Sequence, residues 1–238
     1  MKKTLLILMV GLLVGCNRYE VDGDTVYWHT TNSGNFYDKR VVEGADAKTF
    51  KAFEEFYRYG KDKNNAYFDG VAIDAEVDTQ SFKPIAEYYA VDKNHAYISR
   101  DLIKTSDGQS FEIIKGNWSK DKNEIFYRTS PIGVCHMGSF VITEIDYDWI
   151  AFDKECAYYQ GKKIPFKDRD SLVLYKGGFS KDEFGVYYAD KVVEGADPET
   201  FKMIGTSVIA QDKNGCYETP GVKMDKCPPI YYDKEFNK

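Results

Sequence analysis

The sequence lacks a hydrophobic run long enough to cross a membrane. Its longest apolar stretch, Leu5 to Val14, has about ten residues and would extend about 15 Å as a helix, roughly half of a bilayer core. The sequence also lacks an excess of positive charge, since 32 Lys and Arg residues stand against 38 Asp and Glu. A transmembrane helix and a nucleic-acid-binding surface are therefore both disfavoured.

Motifs that mark common catalytic and metal sites are absent as well. The sequence contains no Gly-x-Ser-x-Gly, no His-Glu-x-x-His, no glycine-rich phosphate loop and no Cys-x-x-Cys, and its three histidines are scattered. We therefore assign no catalytic residue, no cofactor and no metal ligand from the sequence.

The N-terminus has the pattern of an export signal. Lys2 and Lys3 precede the apolar run, which ends in Leu-Val-Gly-Cys at Cys16 and resembles a bacterial lipobox. The resemblance implies cleavage before Cys16 and acylation of its sulfur and its new amine. Each buried CH₂ of the acyl chains contributes about 0.8 kcal/mol, so we expect stable membrane anchoring. Asn17, which is not Asp, implies an outer-membrane address in a Gram-negative cell. An ordinary signal peptide with a chance cysteine is the alternative.

The composition of the remaining chain favours an exposed β domain. Loss of residues 1–15 removes Lys2 and Lys3 and lowers the net charge from −6 to about −8. The chain is rich in aromatic residues, with 19 Tyr and 15 Phe, which favour pleated and half-buried surfaces.

Four cysteines remain after Cys16, and an even number in an exported chain indicates two disulfides. Three pairings can be drawn. We expect the two local ones, Cys135 with Cys156 and Cys216 with Cys227, and the second would close a hairpin around Pro220. Free or differently paired thiols are the alternative.

A tripeptide of the type Asp-Lys-Asn recurs at intervals of 29 to 32 residues. Five positions after each Asp comes an aromatic residue, usually followed by a second large residue. The pairs are Asp62 with Tyr67, Asp92 with Tyr97, Asp121 with Phe126, Asp153 with Tyr158, Asp182 with Tyr187, and Asp212 with Tyr217. Such a period is the signature of a repeat protein.

A second motif in each repeat places an acid four residues before Phe or Leu. It occurs as Asp46 with Phe50, Asp78 with Phe82, Asp107 with Phe111, Asp168 with Leu172, and Asp197 with Phe201. The hexapeptide Val-Val-Glu-Gly-Ala-Asp is identical at residues 41–46 and 192–197, which indicates duplication.

These two motifs together resemble those of the DKNYY family of bacterial repeat proteins, over nearly the whole mature chain. The resemblance implies an exported repeat architecture and says little about activity. Thr31, His136 and Glu218 depart from the pattern, and the charge of Glu218 suits a terminal cap. We predict a signal peptide at residues 1–15, a lipidated lead-in strand at 16–30, and a repeat domain at 31–238 with six repeats and a truncated seventh.

Residues 182–211 serve as the model repeat. We predict a strand at 185–189, a return strand at 192–193, a helical turn at 197–201 and a third strand at 202–210. Asp197 would cap the turn, with Pro198 at its first position and Phe201 in the core. The Asp-Lys-Asn segments would form turns that tolerate positive φ.

The fold class is therefore mainly β: a tandem array of three-stranded antiparallel repeats of about 30 residues, each with a short helical turn. We expect an open superhelix, because propeller blades usually need about 40 residues. Closure into a propeller-like ring is the alternative.

The repeated residues also allow functional interpretations. Asp-x-Asn could bind calcium, but turn chemistry accounts for it and an EF-hand loop needs more acids. The aromatic ladder could grip a sugar or peptide, yet its period is the one expected of a packed core.

Two segments diverge from the repeat. The fourth repeat brings Cys135, His136 and Ser139 together in sequence, which indicates either a binding face or drift around a disulfide. Residues 28–35 form a polar stretch, starting at Trp28, that we interpret as a surface loop.

We expect a non-enzymatic envelope lipoprotein that presents its repeats to a protein, peptide or glycan partner. An envelope hydrolase acting on a cell-wall or peptide substrate is the alternative, with carboxylates such as Asp107 or Asp168 as its acid and base.

Overall fold

The computed structural model describes residues 18–31, 37–145, 148–204 and 208–228. Two compact units divide the chain, Met1–Phe111 and Glu112–Lys238. Both are built from small antiparallel sheets whose neighbouring strands follow one another in the sequence. The prediction of mainly β tandem repeats is thereby confirmed, while the open arrangement of the array stays a prediction.

The described residues of the first unit form three sheets. The first has three strands: β1 (Arg18–Asp22), β2 (Thr25–Thr31) and β3 (Tyr37–Val41). The second has four: β4 (Lys51–Ala52), β5 (Tyr59–Lys61), β6 (Ala66–Phe68) and β7 (Val71–Ala72). The third also has four: β8 (Lys83–Ala86), β9 (Tyr89–Val91), β10 (Ala96–Ile98) and β11 (Asp101–Ile103).

Four sheets, each a meander of four strands, lie in the part of the second unit that the structure describes. The first of them has β12 (Glu112–Lys115), β13 (Trp118–Lys120), β14 (Ile125–Tyr127) and β15 (Ser130–Pro131), and the second has β16 (Val141–Ile145), β17 (Asp148–Phe152), β18 (Ala157–Tyr159) and β19 (Lys162–Lys163). The third has β20 (Val173–Leu174), β21 (Phe179–Lys181), β22 (Val186–Tyr188) and β23 (Lys191–Val192). The fourth has β24 (Lys202–Ile204), β25 (Ile209–Asp212), β26 (Gly215–Glu218) and β27 (Val222–Lys223). Single 3-10 turns lie at Met137–Ser139 and Lys176–Gly178.

The strand count differs from the sequence-based expectation of three per repeat. Residues 202–210 were expected to form one strand but belong to two, β24 and β25, which pair as a hairpin. The sheet also spans the boundary between sequence repeats, because its first two strands precede an Asp-Lys-Asn turn and its last two follow it. A neighbour on each side satisfies the backbone hydrogen bonds along both edges of the buried aromatic strand, as β5 and β7 do for β6.

Positive φ angles lie in a different turn from the one predicted. None of the Asp-Lys-Asn residues has a positive φ; instead the first residue of the loop between the third and fourth strands does, with φ between 49° and 56°. These residues are Asp69, Ser99, Arg128, Gln160 and Ala189. The two-residue hairpin loop imposes the left-handed conformation, since it must match the twist of its strands.

The aromatic residue five positions after each repeated Asp is buried in the hydrophobic core. Tyr67, Tyr97, Tyr158 and their equivalents are at most 1 % exposed, as a core interpretation of the aromatic ladder predicts. Phe201 is also buried, beside Tyr217 in one cluster. Helical turns therefore contribute their Phe to the same core as the aromatic strand.

Two sequence interpretations of the N-terminal region need correction. Trp28 and His29 do not lie in a surface loop; both are buried side chains of β2. The lead-in forms two paired strands rather than one, with Tyr19 opposite Trp28. Across the described ranges, no helix is long and apolar enough to cross a membrane.

Candidate functional site

The repeated Asp is the centre of a hydrogen-bonded cluster. Asp92 is 2 % exposed, and its Oδ1 accepts the backbone N–H groups of Asn94 and His95, both at 2.7 Å. Its Oδ2 accepts the hydroxyl of Tyr97 and the backbone N–H of Asp78, both at 2.8 Å. Asp78 belongs to the preceding helical turn, so one buried carboxylate shapes its own turn and ties it to the turn before it.

The same arrangement recurs along the chain. In each case the carboxylate accepts two local backbone N–H groups, a Tyr hydroxyl and a backbone N–H from the preceding turn. The acceptor, hydroxyl and preceding donor are Asp62, Tyr67 and Asp46; Asp153, Tyr158 and His136; Asp182, Tyr187 and Asp168; Asp212, Tyr217 and Asp197. We call each set a repeat junction and name it after its central Asp.

The Lys of the motif adds a second connection. Lys93 Nζ lies 2.6 Å from Asp78 Oδ2, and the backbone N–H of Lys93 donates to Ser81 Oγ at 2.9 Å. Ser81 in turn donates its backbone N–H to Asp78 Oδ1 at 2.9 Å. The Asp62 and Asp212 junctions repeat this pattern. Lys63 pairs with Asp46 and donates its backbone N–H to Thr49 Oγ1, and Lys213 does the same with Asp197 and Thr200.

The pKa shifts of the Asp153 junction follow from this bonding. Burial pushes the pKa of Asp153 upward, but donors from Glu155, His136 and Tyr158 outweigh it and hold that pKa below its ordinary value. Burial, together with the Asp153 carboxylate, raises the pKa of Tyr158 to about 12. The carboxylate therefore stays ionised and the phenol stays protonated, as their hydrogen bond requires.

The divergent fourth repeat forms a junction of the same geometry. His136 occupies the place of the second acid, and its Nδ1 lies 2.8 Å from Ser139 Oγ, as Asp78 Oδ1 lies 2.7 Å from Ser81 Oγ. Ser139 Oγ also accepts the backbone N–H of Lys154 at 3.0 Å. The Ser–His proximity thus reproduces a structural contact found in repeats that have no histidine there.

Both disulfides are present, with the pairing expected from the sequence: Cys135 with Cys156, and Cys216 with Cys227. The backbone N–H of Cys135 also donates to Tyr158 Oη at 2.8 Å. Cys135 is therefore part of the Asp153 junction. Cys16, the predicted lipidation residue, lies outside the described residues.

The two carboxylates considered for acid–base chemistry are caps of their own turns. Asp107 Oδ1 lies 3.0 Å from the backbone N and 2.8 Å from Oγ of Ser110, both of which donate to it. Asp168 Oδ2 accepts the backbone N–H of Ser171 at 2.7 Å, and hydrogen bonds from the side chain and then the backbone of Ser171 hold the pKa of Asp168 below its ordinary value. The lowered pKa of Asp168 suits a cap rather than a general acid, which needs a raised pKa.

The junction carboxylates already accept hydrogen bonds from groups of the protein itself. In the part of the chain that the structure describes, no group of three or more His, Cys, Asp or Glu side chains could hold a metal ion. The carboxylate oxygens of Asp92 already accept four hydrogen bonds from N–H and O–H donors. A calcium ion would have to displace these donors to reach the oxygens.

One regular feature of the sequence was missed. A small residue stands two positions before every repeated Asp and pairs across the strands with the motif aromatic: Gly60 with Tyr67, Ala90 with Tyr97, Ser119 with Phe126, Ala151 with Tyr158, Ser180 with Tyr187, and Ala210 with Tyr217. A Cβ atom at Gly60 would lie 2.5 Å from Cζ of Phe50. The small side chain therefore makes room for the Phe of the preceding turn.

The chain matches a known protein family over the segments that carry these motifs. The DKNYY family model matches residues 73–178 and 166–221, which together make up more than half of the chain. The chain belongs to the DKNYY family. Comparisons with curated proteins and with solved structures found no match.

The junction gives each letter of the DKNYY motif a structural reason. Asp accepts the turn and cross-repeat hydrogen bonds, Lys pairs with the second acid, and Asn supplies a backbone N–H. The first Tyr donates to the Asp. The second aromatic packs on a later glycine, as Tyr127 does on Gly161 and Tyr159 on Gly178. These residues stabilise the array.

Proposed function

We propose that this DKNYY protein is a lipid-anchored, non-enzymatic module of the cell envelope, held to the membrane by acyl chains on Cys16. Its repeat domain presents a surface to a protein, peptide or glycan partner. In a Gram-negative cell, Asn17 directs it to the outer membrane.

One observation carries this proposal. At five junctions the recurring Asp and Tyr side chains form hydrogen bonds with one another, and at three of them the motif Lys pairs with the second acid, so these polar side chains serve the fold. Side chains outside the junctions are the ones left for a partner. Among them Tyr88 is 46 % exposed and Phe184 is 58 % exposed, and large exposed aromatic residues are typical contact residues of interfaces.

Affinity capture from detergent-solubilised native envelope tests the proposal. The full chain should retain a stoichiometric partner, and Phe184→Ser should weaken capture without changing thermal stability. Lys191→Ser, at another exposed position, is the control. Turnover of cell-wall fragments by the same preparation would contradict the non-enzymatic proposal.

The anchor is tested separately with a clickable fatty-acid label and membrane fractionation. Wild type should incorporate the label and remain with the membrane, and Cys16→Ala should lose both properties. Equal labelling of the two proteins would contradict lipidation at Cys16.

A further inference from the structure

Two lysines stand directly opposite one another on neighbouring strands of the first unit. Lys51 of β4 pairs with Lys61 of β5 in the antiparallel register. Side chains at such positions lie on the same face, with Cβ atoms about 4.5–5.5 Å apart, and like charges there are destabilising.

Equivalent positions in the other four-stranded sheets avoid this conflict. Glu112 faces Lys120 and forms an ion pair of 3.2 Å, and Lys83 faces the apolar Val91. The remaining pairs are Val141 with Phe152, Val173 with Lys181, and Lys202 with Gln211. Within the described sheets, the repulsive pair is thus confined to one repeat of an acidic protein.

The two lysines also line one open depression with a volume of about 610 Å³. Lys48, Lys63 and the hydroxyl residue Thr49 contribute to the same wall. Asp62 is the acid in this lining, and its carboxylate is occupied by the hydrogen bonds of its junction. The depression therefore concentrates positive charge.

The lysines differ in how far the protein itself neutralises them. Lys61 Nζ donates to the carbonyl oxygens of Thr79 and Phe82, at 2.7 and 2.9 Å, and burial followed by the charge of Lys51 lowers its pKa. Lys63 pairs with Asp46. Lys48 and Lys51 are exposed, and neither forms an ion pair with any residue that the structure describes.

We propose that this depression binds a phosphate group of the partner, with Lys51 and Lys48 as its cationic contacts. Lysine binds phosphate as a compact point charge, and a multivalent anion would relieve the repulsion between Lys51 and Lys61. The inference rests on the proposed binding function and names the chemistry of the ligand. The phosphate can belong to a soluble glycan or to a lipid head group.

Calorimetric titration of the full chain with inorganic pyrophosphate, at low ionic strength, tests the site. We expect saturable binding. Lys51→Glu should weaken it at least about tenfold, because the substitution replaces a cationic contact with a carboxylate that repels the anion. Lys83→Glu, the matched change in the next repeat, should leave affinity within about twofold because Lys83 lies outside the depression. Vesicles of phosphatidylcholine with or without phosphatidylglycerol distinguish a lipid phosphate from a soluble one.

Stability gives a second readout, which separates a ligand site from a structural role. Lys51→Glu creates the opposite-charge pair seen at Glu112 and Lys120, so the unliganded variant should melt about 1–3 °C higher than wild type. Higher stability with lost binding supports the proposal. No Lys51-dependent binding of pyrophosphate or anionic vesicles, or equal loss in Lys83→Glu, overturns it. Partner capture that survives Lys51→Glu would leave the binding module standing and reject only the phosphate site.

Discussion

The Asp92 and Asp153 junctions reach the same geometry with different residues. In both, a buried carboxylate accepts two local backbone N–H groups, a Tyr hydroxyl and a backbone N–H from the preceding turn. At Asp92 the preceding turn is held by the ion pair between Lys93 and Asp78. At Asp153 the acid is replaced by His136, and a disulfide from Cys135 to Cys156 stands beside it.

The difference separates the essential part of the junction from the replaceable part. The central Asp and its backbone donors are common to both, whereas the second acid is exchanged where a covalent link restrains the same segment. In the fourth repeat the loss of the second acid thus coincides with the presence of a disulfide.

Removal of the central carboxylate should have the largest effect, and a similar one in both junctions. Asp92→Ala and Asp153→Ala each leave several buried donors unpaired, so we expect a loss of about 3–5 kcal/mol in unfolding free energy. Urea denaturation measures it. A loss below about 1 kcal/mol in either variant would show that the carboxylate is dispensable.

Removal of the disulfide should affect only the Asp153 junction. Cys135→Ala with Cys156→Ala opens a link across 21 residues, which corresponds to about 3 kcal/mol. The control, Cys216→Ala with Cys227→Ala, opens a link across 11 residues and should cost slightly less. If reduction of wild type left its melting temperature unchanged, the disulfide could not be the replacement restraint.

Loss of one Tyr hydroxyl should distinguish the two junctions. Tyr97→Phe removes the hydrogen bond to Asp92 and should cost about 1–2 kcal/mol. Tyr158→Phe should cost about 1 kcal/mol more, because that hydroxyl also accepts the backbone N–H of Cys135. Paired urea titrations measure the difference, and equal losses would contradict the added role of Tyr158.

The smallest expected effect is on the melting temperature at acidic pH, where the Asp78 carboxylate becomes protonated. The side chain of Lys93 and the contacts from Ser81 hold the pKa of Asp78 well below its ordinary value. A depressed folded-state pKa stabilises the protein above about pH 4, and this contribution is lost as the pH falls towards the folded value. Asp78→Asn should therefore flatten the decline of melting temperature below about pH 4, and high salt should act in the same direction. An unchanged profile would contradict the ion pair.

Local features of this fold could be predicted from the sequence. The period of the motifs indicates the repeat, the position of Asp197 indicates a cap, and Phe201 is placed in the core. Each of these three features is determined by residues that are close to one another in the sequence, and the spacing and turn preferences of such residues can be read directly from it.

Features set by pairing could not be predicted in the same way. The bond from the Asp78 backbone to Asp92 joins residues 14 apart and requires the fold of both turns. The prediction of a single strand at 202–210 missed the pairing of β24 with β25, although Gly205, Thr206 and Ser207 are residue types that favour turns. The conflict between Lys51 and Lys61 appears only once the strand register is known.

The most direct test of the junction is the amide hydrogen exchange rate of Asp78, whose N–H donates across the repeat boundary to Asp92. The amide should be protected in wild type and should exchange at least about a hundredfold faster in Asp92→Ala, where its acceptor is gone. The amide of Ser119, in a strand of the other unit, serves as the control. Equal protection of Asp78 in wild type and variant would contradict the claim that the DKNYY aspartate joins successive repeats.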